Sequence, residues 1–208
     1  MVNQLLIKVC GMKEQQNIQA LLELPIDYIG HIFYQKSKRF VAYLSPQDMP
    51  QNIKKTGVFV NANLEEIKAI IQQYKLDAIQ LHGEESVELV RSLKNEQVEI
   101  IKAFGIDDQF DWHTISPFLD EIDYLLFDTK SHDYGGTGKT FNWQKLQEYP
   151  YEKSYFLSGG ISLDNIYEAS RFQDKRCIGL DLNSKFETEP GIKDIEKLKK
   201  ALKIINHE

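Results

Sequence analysis

Four side chains able to take or give a proton stand at the ends of apolar runs: Cys10, His82, Asp128 and Asp181. Thiol, imidazole and carboxylate groups are the ones enzymes use for general acid–base catalysis. Each also has an ordinary interpretation, the cysteine as a small buried residue and the aspartates as loop or helix-capping residues. Whether they do chemistry depends on the elements that position them.

Cys10 is followed by Gly11, which lets the backbone turn and leaves the thiol accessible. Lys8 lies on the same face of an extended strand, and a nearby cation lowers the pKa of a thiol. The sequence therefore predicts an increased thiolate fraction at Cys10. The second cysteine, Cys177, begins a different apolar run and is interpreted as structural.

Asp128 ends the apolar run Tyr124-Leu-Leu-Phe-Asp, and Asp181 ends Ile178-Gly-Leu-Asp in the same way. A carboxyl group emerging from a hydrophobic strand is expected to have a raised pKa, as a general acid near neutral pH requires. Arg39, in the segment Ser37-Lys-Arg-Phe-Val, carries a guanidinium suited to a carboxylate, although most loop arginines are only solvated.

Two glycine-rich segments suggest contacts with a ligand. In Leu157-Ser-Gly-Gly-Ile, Gly159 and Gly160 precede a helix with Ser162 as its expected N-cap, an arrangement suited to a phosphate, and Ser184 would complete the site. A structural Gly-Gly turn is the alternative. The segment 134–141 lacks the first glycine of a nucleotide-binding P-loop and is interpreted as a mobile loop that closes over the site or as an ordinary turn.

The elements that would carry these residues alternate between strands and helices. Apolar runs predict strands at 4–10, 28–33, 56–60, 77–82, 98–104, 123–128, 154–158 and 176–182. Helical spacing occurs at 14–23, 63–74, 84–94, 163–172 and 193–205. Eight such units predict a single α/β domain over residues 1–208, a (β/α)8 TIM barrel with short or irregular helices after strands 2, 5 and 6. An open doubly wound sheet is the alternative.

In a barrel the polar strand-end residues converge at the mouth, where active sites lie. Residues two positions apart on a strand lie on the same face of the sheet. This predicts that three such pairs lie together at the mouth: Gln80 with His82, Lys102 with Phe104, and Leu126 with Asp128. Asp181 and Gly179 form another such pair.

Composition excludes several classes of protein. The formal charge of −6 argues against nucleic-acid binding, and no apolar run is long enough to span a bilayer. The N-terminus lacks the features of a signal peptide, and two distant cysteines make no disulfide framework. We expect a cytoplasmic protein with a small-molecule ligand. The five histidines show no metal-ligand spacing.

Taken together, ten segments resemble the phosphoribosylanthranilate isomerase family of tryptophan biosynthesis. In chain order they are Lys8-Val-Cys-Gly-Met, Ser37-Lys-Arg-Phe-Val, Gly57-Val-Phe-Val-Asn, Gln80-Leu-His-Gly-Glu, Lys102-Ala-Phe, Phe127-Asp, Gly135-Gly-Thr-Gly-Lys-Thr-Phe-Asn-Trp, Leu157-Ser-Gly-Gly-Ile, Gly179-Leu-Asp and Pro190-Gly-Ile-Lys-Asp. Each segment alone is weak, but ten in order over essentially the whole chain are specific.

The resemblance implies an Amadori rearrangement of N-(5′-phosphoribosyl)anthranilate, an aldose-to-ketose isomerisation that needs no cofactor or metal. It makes Cys10 the general base and Asp128 the general acid. Substrate binding would fall to Arg39, through the anthranilate carboxylate, and to His82 and Asp181. The phosphate would be bound by Gly159, Gly160, Asn183 and Ser184. Family members occur as monomers or dimers.

The sequence departs from the family pattern after Asp181. The usual Ser-Ser-Gly followed by Val-Glu is replaced by Asn183-Ser-Lys-Phe-Glu. This replacement predicts an altered backbone at Lys185. The Lys185 side chain would either contact the phosphate or point to solvent. Two other functions fit parts of the pattern. A metal-dependent sugar-phosphate epimerase would use His82, Asp128 and Asp181 as ligands, and a non-catalytic barrel would only bind phosphate.

Overall fold

Eight parallel strands close into a barrel in a computed structural model that describes residues 5–44, 50–130 and 142–206. The strands are hydrogen-bonded in sequence order, and β1 also pairs with β8. Their bounds are β1 Leu6–Cys10, β2 Tyr28–Ile32, β3 Lys54–Phe59, β4 Ala78–Leu81, β5 Glu99–Ile106, β6 Tyr124–Thr129, β7 Tyr155–Leu157 and β8 Cys177–Leu182. The predicted TIM barrel is confirmed, and the open sheet is wrong.

The helices pack around this barrel, and all of those described except α4 begin at a side-chain cap. Their bounds are α1 Gln15–Leu22, α2 Leu64–Tyr74, α3 Val87–Leu93, α4 Ile166–Ser170 and α5 Ile195–Ile205. Asn63, Ser86 and Asp194 each accept a hydrogen bond from a backbone N–H of the first turn of α2, α3 and α5. Such caps satisfy donors that the helix itself cannot pair. Among the described residues, no helix has the length and apolar character needed to cross a membrane.

In their described residues, the connections after β2, β5 and β6 have little regular helix, as predicted. The described residues between β2 and β3 contain no α-helix, and 3-10 helices at Trp112–Phe118 and Trp143–Glu148 follow β5 and β6. The helix predicted at 163–172 is shorter than expected, because α4 spans only five residues. The predicted mobile loop at 134–141 lies outside the described residues.

A repeated aspartate fixes the lower, N-terminal end of the barrel. Asp27, Asp77 and Asp123 directly precede β2, β4 and β6, and each accepts a hydrogen bond of 2.7–2.8 Å from the backbone N–H of the preceding strand. Their own backbone N–H groups donate to the same strands. These contacts satisfy the first backbone groups of the odd-numbered strands and leave the opposite end for the site.

The residues of the strands alternate between two hydrophobic layers. The barrel interior contains Tyr28, Ala78, Ile101, Ala103, Leu126 and Phe156, whereas a larger layer lies between strands and helices. Ala103 faces inward, so Lys102 and Phe104 on either side of it face outward. The prediction that Lys102 lies at the mouth is therefore wrong: its ammonium is buried outside the barrel, 3.1 Å from Glu85. Period-two alternation identifies residues that share a face but not which face is inside.

Candidate active site

One cavity at the C-terminal ends of the strands is lined by all of the predicted site residues. Its lining includes Cys10, Arg39, His82, Asp128, Gly159, Gly160, Asp181, Asn183 and Ser184. A second cavity of about 580 Å³ adjoins it between the loops after β4, β5 and β6, and shares His82 and Asp128. The structure thus brings residues from both ends of the chain to the barrel mouth.

Cys10 lies above a buried ion pair inside the barrel. The Lys8 ammonium is fully buried and donates to Asp181 Oδ1 at 2.7 Å, while Asp181 Oδ2 accepts from the Ser158 hydroxyl at 3.2 Å. Opposite the thiol stands Gly30, where a Cβ would lie 2.7 Å from Cys10 Sγ. The space for the sulfur therefore exists only because residue 30 has no side chain.

The predicted activation of Cys10 by Lys8 is outweighed by burial. Desolvation raises the pKa of the Cys10 thiol, the charge of Lys8 lowers it, and Asp181 raises it, so that the net pKa is above the ordinary value. For Lys8, burial lowers the pKa, but the charge of Asp181 and hydrogen bonds to Asp181 and Cys10 raise it overall. In the unliganded protein Lys8 is charged and Cys10 keeps its proton at neutral pH.

Asp128 faces Cys10 across the mouth, on β6, with β7 and β8 between them. Its Oδ1 accepts from the backbone N–H of Thr129 at 2.8 Å, and its Oδ2 lies 3.4 Å from His82 Nε2. The other ring nitrogen of His82 is 2.7 Å from Gln80 Nε2. When the Gln80 amide donates there, the neutral imidazole carries its proton on Nε2 and presents it to Asp128.

Gly159 and Gly160 form a turn that an ordinary residue would strain. Their φ angles are +85° and +67°, in the left-handed region. A Cβ at Gly159 would lie 2.4 Å from Thr129 Oγ1 and 3.0 Å from Asp128 Oδ1, so this glycine makes room for the carboxylate of Asp128. The N-cap prediction for Ser162 is wrong, because α4 begins only at Ile166 and Asn165 Oδ1 accepts from the Ser162 N–H.

The loop after β8 tolerates the lysine that replaces the usual glycine. Residues Ser184–Phe186 form a 3-10 turn, and Lys185 is not among the described residues with positive φ. Residue 185 therefore does not adopt the left-handed conformation that would favour a glycine there. Its side chain is exposed and does not line the cavity, which leaves Asn183 and Ser184 as the contributions of this loop.

Arg39 is held by Glu187, which is paired in turn with Lys193, and the sequence assigned no role to either residue. Its guanidinium donates to both carboxylate oxygens of Glu187 at 2.7–3.1 Å, and Glu187 also accepts from the buried Lys193 ammonium at 2.6 Å. Glu187 and Lys193 belong to a two-stranded antiparallel ribbon, β9 Glu187–Glu189 and β10 Ile192–Lys193. The sequence signal was a Pro190-Gly191 turn flanked by opposite charges.

The donor set of the alternative epimerase is not assembled. Asp181 is engaged by Lys8 and Ser158, and within residues 5–44, 50–130 and 142–206 no three His, Cys, Asp or Glu side chains converge as metal ligands would. His31 is buried against the carbonyl oxygen of Met12. The described residues therefore do not supply the ligand set that this epimerase would need.

Comparison with known proteins identifies a relative for the whole chain. Residues 7–204 match the family model described as N-(5′-phosphoribosyl)anthranilate (PRA) isomerase. A protein of that name from Parabacteroides distasonis is 44% identical over 208 residues, which cover 98% of this chain and 94% of the relative.

Solved structures agree. Phosphoribosyl anthranilate isomerase from Thermotoga maritima superposes with a TM-score of 0.83 at 32% identity, covering 98% of this chain and all of the other. A second structure from that organism is of monomers generated from the dimeric enzyme. A phosphoribosyl anthranilate isomerase in complex with reduced 1-(o-carboxyphenylamino)-1-deoxyribulose 5-phosphate gives a TM-score of 0.81 at 28% identity, covering 98% of this chain and 100% of the other. By these measures the chain belongs to the N-(5′-phosphoribosyl)anthranilate isomerase family.

Proposed function

We propose that Cys10 and Asp128 are the general base and general acid of this isomerase. The chain converts N-(5′-phosphoribosyl)anthranilate into the corresponding aminoketose, the reaction of its family in tryptophan biosynthesis. The observation that carries the assignment is that a thiol and a carboxyl group face one cavity from different walls of the barrel. A proton must leave one atom of the substrate and another must arrive elsewhere, so both groups are needed.

The residues account for each proton. Asp128 protonates the ring oxygen of the sugar, the bond between that oxygen and C1′ breaks, and a Schiff base forms between C1′ and the anthranilate nitrogen. Cys10, as thiolate, then removes the proton from C2′ to give an enolamine. Tautomerisation then adds a proton at C1′ and removes the proton of the C2′ hydroxyl, which leaves a ketone at C2′. The proton that Cys10 took returns to Asp128, directly or through solvent, so that the thiolate and the carboxylic acid are restored for the next turnover. No electrons leave the substrate, so the reaction calls for no redox partner.

Lys8 and His82 support these two groups. The Lys8 ammonium opposes the effect of burial on Cys10 and so favours the thiolate that the second step requires. His82 directs Nε2 at Asp128 and orients the carboxyl group, and we assign it a further contact with the sugar. Asp181, held by Lys8 and Ser158, would bind the reacting sugar hydroxyls.

The two anionic ends of the substrate are assigned to different loops. Arg39 would bind the anthranilate carboxylate, since Glu187 engages only Nε and Nη2 and leaves Nη1 for another carboxylate. The turn at Gly159 and Gly160, with Asn183 and Ser184, would bind the phosphate. The ligand in the related complex carries both a carboxyphenyl group and a phosphate.

The test is turnover by Cys10→Ser and Asp128→Asn, followed by the loss of substrate fluorescence with substrate generated in situ. Each substitution is nearly isosteric and removes the proton transfer, so we expect kcat to fall by about 1,000-fold or more. Circular dichroism and thermal unfolding should match the unaltered protein. Near-normal turnover in either folded variant would refute that residue's role.

We further propose that residues 1–208 form one domain, which acts in the cytoplasm as a monomer or homodimer. A reducing compartment suits an enzyme that depends on a free thiol at Cys10. The dimeric relative from Thermotoga maritima supports the homodimer as one of the two states. Sedimentation of the purified chain would decide between them.

A further inference from the structure

A chain of buried polar contacts connects the predicted carboxylate contact with the predicted phosphate loop. Arg39 donates to Glu187, Lys193 donates to the same carboxylate, and the Lys193 ammonium also donates to Asn183 Oδ1 at 3.1 Å. The side chains of Glu187 and Lys193 are 4% and 0% exposed. Neither lines the cavity, so they touch it only through their partners.

Arg39 and Asn183, which stand at the two ends of this series of contacts, both lie close to Gly11. A Cβ at Gly11 would lie 2.6 Å from Arg39 Cδ and 2.9 Å from Asn183 Oδ1. Gly11 has a φ of +81° and directly follows Cys10. The contacts thus form a ring beside the end of β1, in which Arg39 and Asn183 both approach Gly11 and are joined to each other through Glu187 and Lys193.

The ring carries more positive than negative charge. Arg39 and Lys193 bring two cations to one carboxylate. Burial raises the pKa of Glu187, but hydrogen bonds from Arg39 and the charge of Lys193 lower it overall, so Glu187 stays ionised. Burial lowers the pKa of Lys193 overall, although the charge of Glu187 and the hydrogen bond to it at 2.6 Å oppose that effect. In a protein with a formal charge of −6, this ring is a local cationic centre beside the site.

We propose that Glu187 and Lys193 are positioning residues that fix Arg39 relative to Asn183, so that the enzyme selects substrates carrying both a carboxylate and a phosphate. This inference rests on the proposed function, in which Arg39 and Asn183 contact those two groups. A bidentate guanidinium–carboxylate pair fixes the plane of Arg39. Lys193 carries that constraint to the phosphate loop, because it contacts Glu187 and Asn183 together.

The experiment compares two substrates in Glu187→Gln. One is N-(5′-phosphoribosyl)anthranilate, and the other is N-(5′-phosphoribosyl)aniline, which lacks only the carboxylate. An amide at position 187 can no longer pair with Arg39 through two oxygens, so the guanidinium loses its fixed orientation. We expect kcat/KM for the carboxylated substrate to fall about 100-fold, mainly through KM, and kcat/KM for the aniline to fall less than about 3-fold.

Glu189→Gln is the matched control, since Glu189 lies on the same strand but is exposed. It should change neither value. Lys193→Met should weaken competitive inhibition by inorganic phosphate as well as binding of the carboxylated substrate, because Asn183 also loses its partner. If Glu187→Gln does not fold, Glu187→Asp retains the charge with a shorter reach and is expected to lower the same substrate ratio.

The outcomes separate this inference from the proposed function. An equal fall for both substrates would mean a merely structural role for Glu187 and would overturn the inference, as would an unchanged ratio in a folded variant. Failure of the unaltered enzyme to isomerise the carboxylated substrate would instead overturn the proposed function. A selective loss of the carboxylated substrate, with the Glu189→Gln control unaffected, is the expected result.

Discussion

The protonation state of Cys10 is the main electrostatic question at the scale of single residues. A base must be deprotonated, yet burial raises the pKa of this thiol more than Lys8 lowers it. The positive charge of Lys8 is offset by the carboxylate of Asp181 at 2.7 Å, and this limits how far Lys8 can stabilise a thiolate at Cys10. Lys8 therefore lowers the pKa of Cys10, as the sequence analysis expected, but burial has the larger effect on that pKa.

This predicts that the reactivity of the Cys10 thiol rises with pH. Only the thiolate is alkylated, so the rate of Cys10 alkylation by iodoacetamide should increase through neutral pH, by up to about tenfold per unit, and continue to rise beyond pH 8. The measurement is a pH series of that rate by mass spectrometry, with circular dichroism at each pH to confirm folding. A plateau already reached below pH 7 would show that the free enzyme holds a thiolate, contrary to this prediction.

The strand-end residues also show what sequence can determine. Cys10, His82, Asp128 and Asp181 follow apolar runs, and parallel strands end at one rim, so their convergence was predictable. Lys102 follows the same pattern but faces outward to Glu85, because alternation fixes only the relative face. Glu187 and Lys193 were missed because their two short strands lie outside the barrel and bury charges rather than an apolar face.

At the scale of elements, the turn after β7 is built around Asp128, the proposed general acid. Gly159 has a φ of +85°, and a Cβ there would lie within 3.0 Å of Thr129 and Asp128. The nearest of these atoms are the backbone N–H and hydroxyl of Thr129, the residue that fixes Asp128 Oδ1. The turn therefore shapes the end of β6, in addition to its proposed contact with the phosphate.

Gly159→Ala should consequently impair the acid step. The added methyl must displace the Asp128–Thr129 backbone, and a left-handed alanine costs about 1–2 kcal/mol. We expect kcat to fall about 100-fold with a small decrease in melting temperature. Gly160→Ala, at φ +67°, is the comparison and should act mainly on KM through the phosphate. Equal losses of kcat in the two variants would contradict the distinction between these glycines.

At the scale of the whole molecule, the two ends of the barrel have different tasks. The lower end carries the aspartates that accept from strand backbones and a polar cluster in which Tyr28 donates to Glu99 at 2.9 Å. The upper end holds the Lys8–Asp181 ion pair, the Cys10 thiol and glycine turns with positive φ. This division was foreseeable from the fold, but the pairing of individual charges was not, since it depends on contacts between residues over 100 positions apart, such as Lys8 and Asp181.

The stability of the folded chain should depend on pH through a residue outside the site. His31 is buried with Nδ1 2.9 Å from the Met12 carbonyl oxygen, and burial lowers its pKa to about 4. In the unfolded chain an ordinary histidine has a pKa of about 6.5, so between these values the unfolded state binds more protons. The contribution of His31 is fully present above about pH 6.5 and is lost as pH falls towards 4.

This predicts that lowering the pH from 7 to 5 removes about 2 kcal/mol from the free energy of unfolding through His31 alone. Urea denaturation of the unaltered protein and of His31→Asn at both pH values measures this contribution, because other titrating groups are common to the two. His31→Asn should be less stable at pH 7 but lose correspondingly less on acidification. His113→Gln, which changes an exposed histidine, should keep the full pH dependence. If the unaltered protein and His31→Asn respond equally to pH, buried neutral His31 is not the source of acid sensitivity.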